Sequence, residues 1–455
     1  MTRKMLTQWF ALGLAAVMLL GLGLSASAEG EGIGDVIALT GVTGGKDDAE
    51  KALFNEAFSK GVNGNVIFDK PGGDSSLLQR LNAGEQYDLI YLNITQLYEL
   101  QEQGALMDLT DWVAASPILS DPAVIPTEEW AQVTIDGRIY GGFNKTEVHK
   151  LPIINKAIAE KAGIDVDAIE PTLEGYYEAF KKMQEVGGEG FYAFNTHIKG
   201  LHDLQPWFSS VGIKCGMVQA EDGTLSVPMA SEEAIPVWEW LAKLYAEGLL
   251  DPDCLINETR DLRNLFNTGY TGLVVDWAAW CGLYNVNAGE NYPELIEAYP
   301  LPGTKAADGD YMLSRGDPSI WAIPINAKNP EGGFKALEYM ATQEGGELLS
   351  IGIEGYDWNE VDGKVVLTEI GEQHGKDHGA PVPTSRLYES PVEWNPGFEK
   401  AMEYLPYASI ELANVNKTKM TDTIAKFATQ IINGSMSVAD GVAAMQQEFK
   451  NLGIL

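Results

Sequence analysis

The N-terminal third of the chain alternates short apolar runs with amphipathic segments. Apolar runs at 35–40, 66–68 and 87–92 predict β-strands, and the last is apolar enough to favour burial on both faces. Between these runs, segments 49–59 and 75–82 carry apolar residues at helical spacing. Strands that alternate with helices over about a hundred residues predict a parallel sheet covered by helices, which is the α/β class.

Helical patterns dominate the rest of the chain. Helices are predicted at 156–162, 173–184, 231–247, 330–341, 420–432 and 438–451, with a strand at 272–275. We expect Thr95 to cap the helix after the third strand and Ser231 to begin its own helix. No internal repeat and no low-complexity linker divides the chain, so we expect two lobes that are interleaved in sequence and joined by short crossing strands.

The first residues predict export. Arg3 and Lys4 precede an uncharged apolar run at 9–24, and the small residues at 25–28 suit a signal peptidase. We therefore expect cleavage after Ala28. The alternative is an uncleaved membrane anchor, but the apolar run is shorter than the roughly 20 residues that span a bilayer.

The charge of the chain narrows its partners. With 31 Lys and Arg against 65 Asp and Glu, the formal net charge is −34. Such acidity repels phosphate, which argues against nucleic acid or an anionic membrane surface as a partner. The cysteines Cys215, Cys254 and Cys281 allow one disulfide with a spare thiol, or three free thiols.

A search for catalytic motifs finds none of the common ones. HExxH, GxSxG, the P-loop and the dinucleotide-binding glycine pattern are all missing from residues 29–455. His374 and His378 are four residues apart, which would suit metal ligands on one helix face, but the surrounding glycines predict a loop. An acid/base pair of carboxylates, as in a glycosidase, is not excluded by counting.

Aromatic residues in loop-like or strand-end positions point to carbohydrate. Sugars present apolar C–H faces that stack on aromatic rings, and hydroxyls that pair with polar side chains. Each tryptophan could equally belong to the core. Trp277 is the strongest candidate for a stacking ring, because it follows a predicted strand directly and lies beside Asp276.

Several segments, taken in order, resemble the extracellular solute-binding proteins of carbohydrate ABC transporters, the group-1 family with maltose-binding and LplA-like members. They are YDLIY (87–91), IDGRIYG (135–141), PTLEGYYEAF (171–180), DW (276–277), IPINAKNPE (323–331), GIEG (352–355) and INGS (432–435). The resemblance implies a two-lobed, periplasmic-binding-protein-like fold of type II, which closes over its ligand. It implies a first lobe of 29–141 plus 317–380, and a second of 142–316 plus 381–455.

The same resemblance implies where a ligand is held, near the carboxyl ends of strands between the lobes. The matching positions are Thr43, Lys46, Asn93, Lys145, Trp207, Asp276, Trp277, Trp280 and, as a weaker candidate, Trp394. It also implies a monomer that partners ABC transporter permease subunits at the outer face of the cytoplasmic membrane, or in a periplasm.

Two departures from the family pattern affect these expectations. Segment 186–190 is too poor in oxygen ligands for the calcium loop that some members carry after the 171–180 helix, so we expect no metal and no cofactor. No cysteine follows the predicted cleavage site, so the sequence does not predict a lipoprotein. The leading hypothesis is a non-catalytic sugar receptor, and the alternative is a secreted carbohydrate-active enzyme, a glycoside hydrolase or lyase, with an unlocated carboxylate pair.

Overall fold

A computed structural model of the 455-residue chain provides the structure. It describes residues 32–39, 47–69, 74–143, 145–220, 222–289, 291–292, 294–315, 319–378, 382–412 and 416–455. The predicted signal segment and the candidates Thr43 and Lys46 lie outside the described residues. Within them, no helix is both long and apolar enough to cross a bilayer.

The strands are short, and half of the sixteen in the described residues belong to one five-stranded and one three-stranded sheet. They are β1 (Gly34–Leu39), β2 (Gly64–Asp69), β3 (Leu89–Leu92), β4 (Thr134–Ile135), β5 (Arg138–Ile139), β6 (Gly142–Phe143), β7 (Leu151–Asn155), β8 (Val218–Gln219), β9 (Leu225–Ser226), β10 (Leu273–Asp276), β11 (Ala298–Pro300), β12 (Leu313–Ser314), β13 (Ile320–Ala322), β14 (Trp358–Val361), β15 (Lys364–Leu367) and β16 (Ala408–Ser409).

The α-helices cover both sheets. They are α1 (Asp48–Gly61), α2 (Asp74–Asn82), α3 (Ile94–Glu102), α4 (Thr110–Ala115), α5 (Lys156–Lys161), α6 (Leu173–Gly187), α7 (Gln205–Phe208), α8 (Ile235–Ala246), α9 (Thr259–Asn267), α10 (Ala278–Tyr284), α11 (Pro330–Met340), α12 (Gln343–Ser350), α13 (Glu369–His378), α14 (Phe398–Met402), α15 (Lys417–Ile432) and α16 (Val438–Asn451).

The first sheet confirms the α/β prediction for the N-terminal third. Its strand order is β2-β1-β3-β13-β6, with β1 parallel to β2 and β3, and β13 antiparallel to its neighbours. Three of the four residues of β3 are buried, as its apolar run predicts. The return of the chain to this sheet at β13, more than two hundred residues after β3, makes the lobes interleaved.

The second sheet has the order β10-β7-β11, and both pairings are antiparallel. Every residue of the central strand β7 is buried. The sequence pattern does not reveal this strand, because Pro152 lies inside it and proline usually argues against a central strand. Each lobe has its own core, with Phe58 and Trp321 in the first and Phe180 in the second.

Helix starts differ from expectation at two places. The cap of α3 is Asn93 rather than Thr95: its side chain accepts from the Gln96 N–H at 2.9 Å, and the Gln96 side chain accepts from the Asn93 N–H at 3.0 Å. The helix expected from Ser231 opens as a 3₁₀ turn over Glu232–Ala234, and α8 begins only at Ile235.

The lobes are joined by crossing segments that lie between the two sheets. Residues 145–150 form the described part of the first crossing segment, between β6 and β7, and Ser314 and Arg315 begin the second, between β12 and β13. Shortly after the expected lobe boundary between residues 380 and 381, the Arg386 N–H donates to the Val124 carbonyl, and the Glu389 N–H donates to the Gln343 side chain. Residues 386 and 389 therefore contact the first lobe, and the boundary near residue 380 stays a prediction.

Candidate ligand-binding site

The candidate site lies at one edge of the second sheet. Strand β10 ends there at Asp276, and Trp277 is the N-cap residue of α10. Because β7 runs antiparallel to β10, the first crossing segment arrives at the same edge, where Asp276 pairs with Leu151. The sequence thus brings Trp277, Asp276, Trp280 and Lys145 together beside the junction of the lobes.

Asp276 is a support for the site rather than an exposed ligand contact. It is 2% exposed, and its two oxygens accept both guanidinium hydrogen bonds of Arg263 at 2.8 Å. The Tyr284 hydroxyl donates to Oδ2 at 2.8 Å, and the Trp277 backbone N–H donates to Oδ1 at 2.9 Å. Burial and the neighbouring carboxylate raise the pKa of Tyr284 well above its usual value, so it stays a hydrogen-bond donor.

Trp277 is half-buried and already carries an aromatic partner. The His149 imidazole lies parallel to its indole, with centroids 4.5 Å apart and an angle of 7° between the planes. The Lys145 ammonium is 4.4 Å from the same ring centroid, a cation–π distance. A stacked ring occupies one face of an indole, so at most one face of Trp277 is left for a ligand.

Trp280 lies one turn further along α10 and is also half-buried. The Arg263 guanidinium carbon is 3.8 Å from its ring centroid, and the Tyr284 ring is 5.4 Å away. One arginine therefore holds the carboxylate before Trp277 and stacks on Trp280, which fixes the two tryptophans relative to each other.

Lys145 joins the crossing segment to the start of α10 through Glu147. Its ammonium donates to Glu147 Oε1 at 3.0 Å, while Glu147 Oε2 accepts from the Ala279 N–H at 3.1 Å. The Lys145 side chain is 17% exposed, so it is largely but not fully buried. Burial, with the charges of Lys145, Lys150 and Arg315, holds the pKa of His149 well below its usual value.

Trp207 does not face this edge. It is 0% exposed and packs edge-on against Tyr176 and Phe194, with Trp240 5.2 Å from its centroid. The expected role in ligand binding is corrected here, because a fully covered ring offers no face to a sugar. Trp207 lies in α7, inside the core of the second lobe.

The remaining described candidates, Asn93 and Trp394, are at least partly exposed, but each already contacts another part of the protein. Asn93 is exposed, yet its side chain is committed to the cap of α3. Trp394 is half-buried against Phe398, with ring centroids 4.9 Å apart. Their roles in ligand binding stay predictions.

Sequence patterns missed a second polar group at the same edge, in the loop 195–203. The Lys150 ammonium is 2.7 Å from Asp203 Oδ1, and Asp203 is fully buried. Burial raises the pKa of Asp203 and lowers that of His197 in the same loop. Just before this loop, Tyr192 forms a parallel bridge with Thr271 and Phe194 one with Leu250. These bridges place the loop at this edge, and no local sequence signal predicts them.

His374 lies on helix α13 and not in the expected loop. Its Nδ1 is 2.7 Å from Asp357 Oδ1, and its Nε2 is 3.5 Å from Glu50 Oε1. The side chain of His378 is outside the described residues. Within the described part of the chain, no group of three or more His, Cys, Asp or Glu side chains is placed to hold a metal ion.

Comparison with known proteins identifies the architecture. The family model of bacterial extracellular solute-binding proteins matches residues 43–347. No curated protein shows a significant match to the chain.

Solved structures match over most of the chain. An ABC transporter solute-binding protein from Thermotoga lettingae TMO, bound with alpha-D-tagatose, is 16% identical with a TM-score of 0.65, covering 92% of this chain and 98% of that one. The Listeria monocytogenes substrate-binding protein Lmo0181, in complex with cycloalternan, is 15% identical with a TM-score of 0.66 over 92% and 99%. Maltose-bound T. maritima MalE3 is 18% identical with a TM-score of 0.65 over 92% and 100%. These matches confirm the two-lobed fold.

Proposed function

The chain belongs to the bacterial extracellular solute-binding proteins, and from that premise we propose that it captures a sugar or oligosaccharide between its lobes and delivers it to an ABC transporter permease. The observation that carries the choice of ligand is the half-buried Trp277 at the junction of the lobes, with polar and charged side chains around its ring. An aromatic plane beside a few fixed polar groups is what a carbohydrate site requires. The tagatose, cycloalternan and maltose held by the three similar structures support the same class.

Within this site, Trp277 is the stacking ring, Trp280 extends the aromatic surface, and Lys145 donates to sugar hydroxyls. Asp276 acts by holding Arg263 and the Trp277 backbone. Thr43, Lys46 and Asn93 complete the site from the first lobe. The protein works as a monomer, without a cofactor.

Ligand binding is tested by a thermal-shift screen of mono- and oligosaccharides, followed by calorimetry with the best ligand. Trp277→Ala should weaken that ligand roughly tenfold to a hundredfold, because the stacking surface is lost. The matched control is Trp238→Phe, which alters a fully buried ring that donates to the Met229 carbonyl, away from the site. Unchanged affinity in Trp277→Ala would reject this ring as the platform, and no stabilisation by any saccharide would reject the sugar proposal.

The receptor proposal predicts binding without turnover. Incubation of the pure protein with a glycan panel should release no product at an enzyme-like rate, and hydrolysis would favour the enzyme instead.

Export with cleavage predicts a mature N-terminus at Glu29, which mass measurement of the secreted protein checks. A retained segment 1–28 would indicate an anchor.

A further inference from the structure

His149 stacks on the ring of Trp277, and no sequence pattern predicts this contact. It lies on the first crossing segment, four residues beyond Lys145, and only 5% of its surface is exposed. Its ring is parallel to the Trp277 indole at 4.5 Å. A pair in this geometry contributes beyond the area it buries, because the rings fix each other's orientation.

The backbone around His149 is tied to both neighbouring elements. The His149 N–H donates to the Ser314 carbonyl on the second crossing at 3.1 Å. One residue earlier, the Val148 carbonyl accepts from the Ala278 N–H of α10 at 2.8 Å. The first crossing segment therefore accepts a hydrogen bond from the start of α10, and the next residue along it, His149, places its imidazole over the Trp277 indole.

We infer that His149 is a positioning residue for ligand binding, which covers one face of Trp277 and couples that ring to the segment joining the lobes. The inference rests on the proposed function, since it takes Trp277 as the stacking ring. Two consequences follow. His149 leaves at most one face of Trp277 to a sugar ring, and the Lys145 ammonium, 4.4 Å from the ring centroid, also contacts that ring. A ligand that shifts the Trp277 indole also shifts His149, and through His149 the first crossing segment.

The charges around His149 favour its neutral form. Lys145 and Lys150 lie on its own segment, Arg315 on the second crossing and His202 in the loop 195–203, while Glu147 Oε1 is 3.7 Å from Nε2. A neutral imidazole stacks as a flat ring and adds no further cation beside Lys145. Phenylalanine has the same flat shape without a titrating group, which makes His149→Phe the matched variant for His149→Ala.

The experiment compares wild type, His149→Ala and His149→Phe with the best saccharide from the screen. His149→Ala should weaken binding about tenfold, and His149→Phe should stay within about twofold of wild type, because it keeps the stacked ring. Between pH 7 and pH 5 the melting temperature of wild type should fall more than that of His149→Phe, since the variant lacks the His149 imidazole, which protonates more readily when unfolded.

A thermal-unfolding cycle tests the contact without ligand. The melting-temperature losses of His149→Ala and Trp277→Ala should sum to more than the loss of the double variant, since each single change removes the same stack. Additive losses, or wild-type affinity in His149→Ala, would overturn the inference while the sugar proposal stands. If no saccharide binds wild type, the proposed function fails, and the cycle still decides whether His149 and Trp277 are coupled.

Discussion

At the scale of single residues, Asp276 and Trp277 are neighbours in the chain with different tasks. The carboxylate is buried under three donors, Arg263, Tyr284 and the Trp277 N–H. The ring beside it is half-buried and open on one face at most. A buried carboxylate that already holds a guanidinium contributes to binding through the geometry it maintains, because its oxygens have few positions left for a ligand.

The change Asp276→Asn should lower the free energy of unfolding by roughly 3 kcal/mol, because it leaves the Arg263 guanidinium without its bidentate partner. Affinity for the sugar should fall with it, since the start of α10 loses an anchor. Urea denaturation and calorimetry measure the two effects. The control Glu239→Gln, on an exposed face of α8, should stay within about 0.5 kcal/mol of wild type. Wild-type stability in Asp276→Asn would contradict the structural role.

Sequence alone did not separate half-buried Trp277 from fully buried Trp207, for one physical reason. Trp207 follows Pro206 and Trp277 follows Asp276, so local sequence patterns do not show which ring is buried. What separates them is long-range packing: Trp207 is enclosed by Tyr176, Phe194 and Trp240, which are distant in sequence. His149 was missed for the same reason, because its stack with Trp277 joins positions more than a hundred residues apart.

At the scale of elements, short strands near the crossing segments are stabilised by side-chain hydrogen bonds as well as by backbone hydrogen bonds to the neighbouring strand. Strand β12 pairs with β16 over two residues, Leu313 with Ala408 and Ser314 with Ser409. The Ser314 hydroxyl is 3.0 Å from His202 Nδ1, and His202 Nε2 is 2.8 Å from Glu411 Oε2. Sequence patterns predicted the long helices and the β3 run, but such two-residue strands carry too few positions for a periodic signal.

Glu411 gives this element a pH dependence. Burial alone would raise its pKa, but His202 and Lys417 outweigh burial and lower it to about 2. Because the folded pKa is below the ordinary 4.5, the stabilisation is complete above about pH 4.5 and is lost as the pH falls towards 2. The total is about 3 kcal/mol.

The variant Glu411→Gln removes this titration. Between pH 5 and pH 2.5, wild type should lose more unfolding free energy than the variant, as measured by urea denaturation at each pH. At neutral pH the variant should be the less stable protein, because the negative charge of the ion pair with Lys417 is removed. Equal losses on acidification would contradict the assignment of the low pKa to Glu411.

At the scale of the whole molecule, the junction of the lobes concentrates cations in a strongly acidic protein. Lys145, Lys150 and Arg315 lie on the crossings, and each is paired with a carboxylate: Glu147, Asp203 and Glu129 respectively. Glu129 belongs to the first lobe, so its bond with Arg315 connects that lobe to a crossing segment.

The two-lobed fold predicts closure over the ligand. Small-angle X-ray scattering of wild type should show a smaller radius of gyration with saturating saccharide than without it. Trp277→Ala, at the same saccharide concentration, should retain the open value. An unchanged radius of gyration in wild type, with binding proven by calorimetry, would contradict closure.

The three cysteines have a consequence for how the chain matures. All three are buried and unpaired, and burial raises the pKa of Cys254 and Cys281 far above the usual value for a thiol. Disulfide exchange proceeds through the thiolate, so the folded protein resists the oxidants it meets outside the cytoplasm. Maturation therefore needs no oxidase or disulfide isomerase, and the same native state is reachable in a reducing cell interior.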